Sequence, residues 1–300
     1  MLKSLSTLIA VHECNSIRRA AETLHTDPTA VSRKIRQLEY EFGTALIERS
    51  SRGVRLTDAG QLLVEQANLT LRDLNMVRHK IADLVGLETG QVTIYAAEAT
   101  VGGFLAPVLA DFCKAYPKVT VRIALSGADG AHSALRTGDA DIGVTLFAES
   151  RPDIETVRKM EFQNVAICAP DHPLADLKAC RMSDLVRHNV ALPEASFGAR
   201  QSFERSLKKA GLDYDCQFTT SSVTVQRSLA RAGISVMILP DIGLNHDVEF
   251  SELVRVPIVE PGFSAVPIEI ATNKHRTTTF AARRCLDLIS ARLRELGEPP

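Results

Sequence analysis

The 300-residue chain contains no tryptophan, and aromatic residues make up only 5% of it. Aliphatic side chains and phenylalanine must therefore anchor the interior, and a hydrophobic content of 45% allows a sizeable core. No apolar run approaches the roughly 18 residues that a membrane-spanning helix needs, so no membrane partner is expected. The first residues lack a basic region followed by an apolar core and a cleavage site, so a cytoplasmic chain is expected. Six cysteines (Cys14, Cys113, Cys168, Cys180, Cys216 and Cys285) form no Cys-x-x-Cys pair and no Cys/His cluster. They read as reduced, mostly buried thiols, and no metal site is expected. A nucleophile elbow, a Walker loop, an HExxH pair and paired metal ligands are all missing, so no catalytic residue and no cofactor are assigned. His172, in the segment PDHPLA, reads as a turn residue rather than a base. The net charge of −1 does not by itself announce a nucleic-acid partner.

The charge is unevenly placed. Residues 28 to 56 carry Arg33, Lys34, Arg36, Arg49, Arg52 and Arg55 against Glu39, Glu41 and Glu48, a local excess of three cations. This stretch belongs to RRAAETLHTDPTAVSRKIRQLEYEFGTALIERSSRGVRLTDAG, residues 18 to 60. Ser16 can cap a short helix through Leu24 whose inner face is Ala20, Ala21 and Leu24. His25 and Thr26 form a break. Asp27 then stands as an N-cap with Pro28 at the first helical position, where a missing N–H costs nothing. Val31, Ile35, Leu38 and Phe42 recur at spacings of 4, 3 and 4, one buried stripe of a second helix that Gly43 ends. The opposite face presents Thr29, Ser32, Arg33 and Arg36, with Lys34 at its edge. Two short apolar runs then flank a polar turn, Arg49 to Gly53, which would hang Arg49, Arg52 and Arg55 beside that helix. Helix, turn, recognition helix and wing is an order suited to placing one helix in the major groove of double-stranded DNA.

The RAAETLH run, the AVSRKIRQLE helix, the FGTALIERSSRGVRLTDAG wing and the long helix that follows closely resemble the N-terminal domain of LysR-type transcriptional regulators. The PDHPLA, GDADIGV and RAGISVMILP segments resemble, more diffusely, the effector-binding domain of that family, so the resemblance spans essentially the whole chain. It implies a promoter-binding regulator that pairs with itself as a dimer or tetramer, answers to a small-molecule effector and has RNA polymerase as a candidate partner. One position departs from the family. A Gln-Pro pair is common early in its recognition helix, and here the matching positions are Pro28 and Thr29. Pro28 has no amide with which to read adenine, which leaves Thr29, Ser32, Arg33 and Arg36, and arginine is the usual guanine reader.

Thr57 can cap the next helix, expected from about Asp58 to Leu87. Leu63, Ala67, Thr70, Leu74, Val77, Ile81 and Leu84 recur in a strict seven-residue repeat with polar flanks. So narrow a stripe suits a two-helix seam, with Leu63, Ala67, Leu74, Val77, Ile81 and Leu84 as dimerisation residues. Packing on its own domain is the alternative. Leu87 to Gly90 is the expected hinge. The expected organisation is thus 1–58 winged helix-turn-helix, 59–90 dimerisation helix and hinge, and 91–300 effector-binding domain.

From Gln91 strands and helices alternate, which implies an α/β domain with a mainly parallel sheet. Two lobes are expected, about 91–161 with 266–300, and 162–265, joined by crossovers near Glu161 and Ala265 in a manner that resembles a periplasmic-binding-protein fold. Ligands in such folds sit beyond the carboxyl ends of strands, at helix amino ends. This singles out Thr100, Ser126, Asp129 and Phe147 in the first lobe, and Ser196, Phe197, Arg200 and Ser221 in the second. The four hydroxyls can also be simple helix caps, and Arg200 can equally form a structural ion pair. Glu98 and Asp129 oppose a plain anion in the cleft. A cleft enzyme and an effector-independent architectural DNA-binding protein are the rival functions.

Overall fold

The computed structural model describes residues 1–50, 53–84, 89–244 and 247–297, without the side chains of 49, 50, 72, 75, 76, 79, 80 and 82–84. It comprises two compact units, Met1–Ile81 and Ala82–Pro300.

The first unit runs α1 (Leu2–Cys14), α2 (Ile17–Thr23), α3 (Pro28–Phe42), the antiparallel hairpin of β1 (Ile47–Ser50) and β2 (Gly53–Leu56), and α4 (Asp58–Leu84). Ser16 Oγ accepts from Arg19 N–H at 3.4 Å and starts α2. His25, with φ 48°, turns the chain, and Pro28 opens α3. Asp27 stands at the N-cap position with extended backbone, but its carboxylate makes no cap hydrogen bond. Gly43, with φ 68°, ends α3 in the left-handed region. Val31, Ile35 and Leu38 are buried against Leu8, Val11, Ala20, Ala21 and Leu46. The expected fourth member of the stripe, Phe42, is instead 49% exposed. The chain leaves the core at the helix end and re-enters at Leu46, where the N–H groups of Leu46 and Ile47 donate to the Glu39 carboxylate at 3.0 and 3.4 Å. Thr57 Oγ1 donates to Ala45 O and accepts from Gly60 N–H, so the expected cap of α4 also ties that helix to the segment before the hairpin.

The stripe on α4 serves two environments. Ala67 is buried and Leu63 half-buried in the core of their own unit. That corrects their reading as seam residues, because the same core already contains Val64 and α3. Leu74, Val77 and Ile81 are 39%, 50% and 56% exposed. The Leu84 side chain and residues 85–88, which include part of the expected hinge, lie outside the described residues.

The second unit is built on one mixed sheet of nine strands. In order of position they are β4 (Val119–Leu125), β3 (Gly90–Ala96), β5 (Ile142–Leu146), β11 (Ala265–Asn273), β6 (Ile154–Cys168), β9 (Val236–Pro240), β7 (Val190–Leu192) and β8 (Phe218–Thr219), with β10 (Val254–Pro257) also on β6. The pairs β3–β4, β3–β5, β7–β8 and β7–β9 are parallel. β6 serves both halves, since 154–163 pair with β11 while 164–168 pair with β9 and β10. Its residues alternate between faces, as a strand's must. Ala166 and Cys168 join Phe203, Leu207 and Phe263, while Val165 and Ile167 join Ala230, Met237 and Leu239. Helices therefore cover both faces, the condition for a doubly wound α/β lobe. α8 (Gly198–Ala210) and α9 (Val223–Arg231) belong to this lobe, with the short α7 (Met182–Leu185). In the other lobe α5 (Ala106–Ala115) and α10 (Phe280–Gly297) pack Phe112, Cys285 and Ile289, with Phe104 from the turn before α5, against Ile94 and Ile270, and α6 (Ala128–Thr137) covers the opposite face through Leu135. Before α5 begins, Glu98–Thr100 is a 3-10 turn and Val101–Leu105 a π turn.

Beneath α6 lies a buried pair, His132 and Glu269, 2% and 3% exposed, with Nε2 and Oε1 4.0 Å apart. Thr156 Oγ1 donates to the same carboxylate at 2.9 Å. Burial holds the His132 pKa below its usual 6.5, an effect that the nearby Glu269 carboxylate only partly opposes. The folded chain therefore binds this proton less readily than the unfolded chain. The stability contributed by neutral His132 is present above about pH 6.5 and is lost as pH falls through the lowered folded value. Unfolding free energies from urea titrations between pH 7.5 and 5.5 should fall in the wild type by up to about 1.4 kcal/mol per pH unit. His132→Asn should flatten that dependence; parallel curves would remove His132 as the cause.

Candidate DNA interface and interlobe cleft

On α3 the face opposite Val31, Ile35 and Leu38 carries Thr29, Arg33 and Arg36, all exposed, with Ser32 and Lys34 half-exposed at its borders. Arg55 is exposed on β2 of the hairpin. Arg52 and the side chain of Arg49 lie outside the described residues. Tyr40 continues the face at the 4-3-4 spacing 29, 33, 36, 40 and is 89% exposed. Sequence reasoning followed the charges and passed over it, although the same spacing that marks the arginines also marks the phenol. The surface can present two guanidinium groups, hydroxyl groups and a phenol along one helix edge, the donor set that grips phosphates and base edges.

In the second unit the eight cleft candidates separate. Phe147 follows β5 in the left-handed region, φ 54°, and its N–H donates to Pro267 O at 3.1 Å. Such a conformation costs a bulky residue of order 1–2 kcal/mol and is imposed by its surroundings. Its side chain lies on the first turn of α8, where a Cβ at Gly198 would come within 2.6 Å of Phe147 Cβ. The Phe197 ring in turn lies 3.5 Å from the Cβ that Gly127 lacks. The start of α6 and the end of β5 thus meet the start of α8 from the other lobe.

None of the four candidate hydroxyls caps the helix it precedes. Thr100 is fully buried and donates to Ala97 O at 2.8 Å, so it neither caps a helix nor lines an open cleft. Ser126 stands one residue before the N-cap Gly127 and donates to that glycine's own carbonyl. Ser196 stands one residue before the N-cap Phe197 and is exposed. Ser221 Oγ accepts from Glu194 N–H, and the cap of α9 is its neighbour Ser222. The charged candidates are also engaged. Asp129 pairs with Arg151, and Arg200 pairs with Glu204, one turn along α8. Glu98 accepts from the N–H groups of Val223 and Thr224 at 2.9 and 3.2 Å and from Thr224 Oγ1 at 3.3 Å, so it occupies the amino end of α9. A shallow open groove of about 600 Å³ lies elsewhere, along the crossovers, lined by Glu161, Gln163, Ser264 and their neighbours.

Residues 2–61 match the model of the bacterial regulatory helix-turn-helix protein of the lysR family, and residues 86–294 match that of the LysR substrate binding domain. The chain belongs to the LysR family of DNA-binding transcriptional regulators. It is 29% identical over 262 residues to the DNA-binding transcriptional dual regulator OxyR of Escherichia coli K12, covering 87% of this chain and 85% of that one. It is 25% identical over 288 residues to the HTH-type transcriptional regulator YbhD of the same strain, covering 96% and 90%. The fold matches full-length CbnR in complex with its target DNA, with a TM-score of 0.73 at 21% identity over 97% of this chain and 99% of that one. Family membership makes the protein a regulator rather than an enzyme, and among its described residues no helix is long and apolar enough to cross a membrane.

The cysteines of this LysR-type regulator differ sharply in environment. Burial pushes the thiols of Cys168, Cys180 and Cys285 up to about 11, 12 and 12, far from the thiolate form that reacts. Cys113 is exposed, and Cys14 and Cys216 are half-buried. Titration of the native chain with an aromatic disulfide should modify Cys113 first and leave Cys168, Cys180 and Cys285 intact until the chain is unfolded. Peptide mapping that finds Cys285 modified in the native chain would contradict this.

Proposed function

We propose that this LysR-type regulator recognises promoter DNA through Thr29, Ser32, Arg33, Lys34 and Arg36 of α3, flanked by Arg49, Arg52 and Arg55 of the wing, and that a small polar metabolite bound between the lobes of its effector-binding domain alters that engagement. The observation that carries the DNA reading is the single exposed face bearing Thr29, Arg33, Arg36 and Tyr40. The cleft reading is supported by the meeting of Gly127, Phe147, Phe197 and Gly198 from the two lobes. A ligand that touches both sides changes the balance of lobe arrangements only by its differential affinity for them. The effector-binding residues are then the segments around Ser126, Phe147, Ser196, Phe197 and Ser221, with the Asp129 and Arg200 pairs at their edges. Thr100 acts from behind by shaping the turn. The partners are a second copy of the chain, double-stranded DNA, the effector and RNA polymerase, in the cytoplasm where promoter DNA is found.

Arg33→Ala should weaken binding to a selected duplex by about 1–3 kcal/mol where Arg33 reads a guanine, and equally on scrambled duplexes where it holds phosphate. Fluorescence anisotropy on both duplexes at fixed salt distinguishes the two. Unchanged binding on both would remove Arg33 from the interface.

The exposed part of the α4 stripe carries the dimer reading. Leu74→Glu with Ile81→Glu would place unpaired charges in a helix-helix seam. The double variant should sediment as a smaller species than the wild type and lose operator affinity, with the thermal transition of the effector-binding domain unchanged. An unchanged sedimentation coefficient would dissociate the stripe from self-association.

A further inference from the structure

We propose that Glu98 is an internal latch of the effector-binding domain, joining the segment after β3 to the amino end of α9 across the interlobe cleft, and that the regulated motion of the lobes requires its release. This rests on the reading of the cleft as the regulatory site.

The bookkeeping of the α9 amino end is complete. The first amides of a helix have no partner within it and must find one elsewhere. Here the Val223 and Thr224 amides donate to the two oxygens of Glu98, and the Val225 amide donates to Ser222 Oγ at 3.4 Å. The Thr224 hydroxyl adds a third donor to the same carboxylate. A negative charge is favoured there by the helix dipole as well as by the hydrogen bonds. Glu98 is therefore the bound anion of this helix, supplied from 125 residues away. By contrast, neither Gly127 at α6 nor Phe197 at α8 supplies a side-chain cap. An anionic effector finds the α9 donors already taken, and can use them only by displacing Glu98.

Two further contacts tie the same segment to the other lobe. Ala99 packs against the cluster of Val165, Ala230, Met237 and Leu239, which also receives Val223. At the π turn, Gly103 and Gly243 approach backbone to backbone, so closely that a Cβ on either would collide with the main chain of the other. Single π turns are rare and occur frequently at functional sites. The latch is thus seated on a segment whose next turn is an irregular helix clamped by two glycines, an arrangement that can move as a unit when the carboxylate lets go.

Hydrogen exchange of the full-length chain tests this. Glu98→Ala should speed exchange at the Val223 and Thr224 amides at least tenfold, and Glu98→Gln, which keeps the shape and one acceptor, should fall between it and the wild type. Amides of β3 and β9 should be unchanged. Unaltered exchange at both amides would overturn the latch; so would acceleration spread over α9 and β9, which would mean a loosened fold. The same variants are then footprinted on a duplex recovered by selection. An altered footprint together with faster exchange supports the proposal in full. Faster exchange with an unaltered footprint would keep the contact but overturn its regulatory role, and would count against the cleft reading rather than against the hydrogen bonds.

Discussion

The effector-binding half of this protein depends on one strand. β6 runs for fifteen residues, about 50 Å of extended chain, and gives its first part to one lobe and its last part to the other. Every neighbour takes its position from that continuity. β11 pairs along its first part, β9 and β10 along its end, and the parallel strands of each lobe are stacked outward from there. β6 passes from one partner set to the next near Phe162 to Asn164. The register shift at Ile270/Ala271 of β11 places an irregularity in the companion strand.

What was legible in the sequence was what local chemistry decides. Ser16, Pro28, Gly43 and Thr57 mark element ends by mechanisms that act within a few residues, and α3 followed from its period. α1 was not anticipated, because its buried face includes Ser4 and Thr7, which dilute the apolar signal. The first half of β6 was also missed: Glu155, Arg158, Lys159 and Glu161 make it read as a polar connection, whereas pairing along β11 keeps it extended. The hydroxyl candidates were misplaced by a single residue at Ser126, Ser196 and Ser221. Composition cannot say which of two adjacent residues holds the N-cap, and Ser221-Ser222 is the plainest case. The partner of Glu98 was illegible in principle, since nothing local to residue 98 points to residue 223.

Charge in the cleft is largely neutralised from within. Asp129 is balanced by Arg151, Arg200 by Glu204, and Glu98 by the amino end of α9. Residues that read as free recognition groups in sequence are engaged in structure, and near the α8 start Phe147 lies against Gly198 and Phe197 against Gly127.

The helix α4 has a mechanical meaning beyond its sequence pattern. Its amino end is fastened to the segment before the hairpin by Thr57, its early turns are buried in the DNA-binding core, and the helix continues unbroken past the exposed Leu74, Val77 and Ile81. Each residue of an α-helix advances about 1.5 Å and rotates by about 100°. The azimuth of Leu74, Val77 and Ile81 relative to the buried face at Ala67, and so to the DNA-binding core, is therefore set by the count of residues along α4 between them. The chain carries its own protractor, in which one residue more or fewer would swing the exposed stripe by more than a quarter turn away from the face it now shares a frame with.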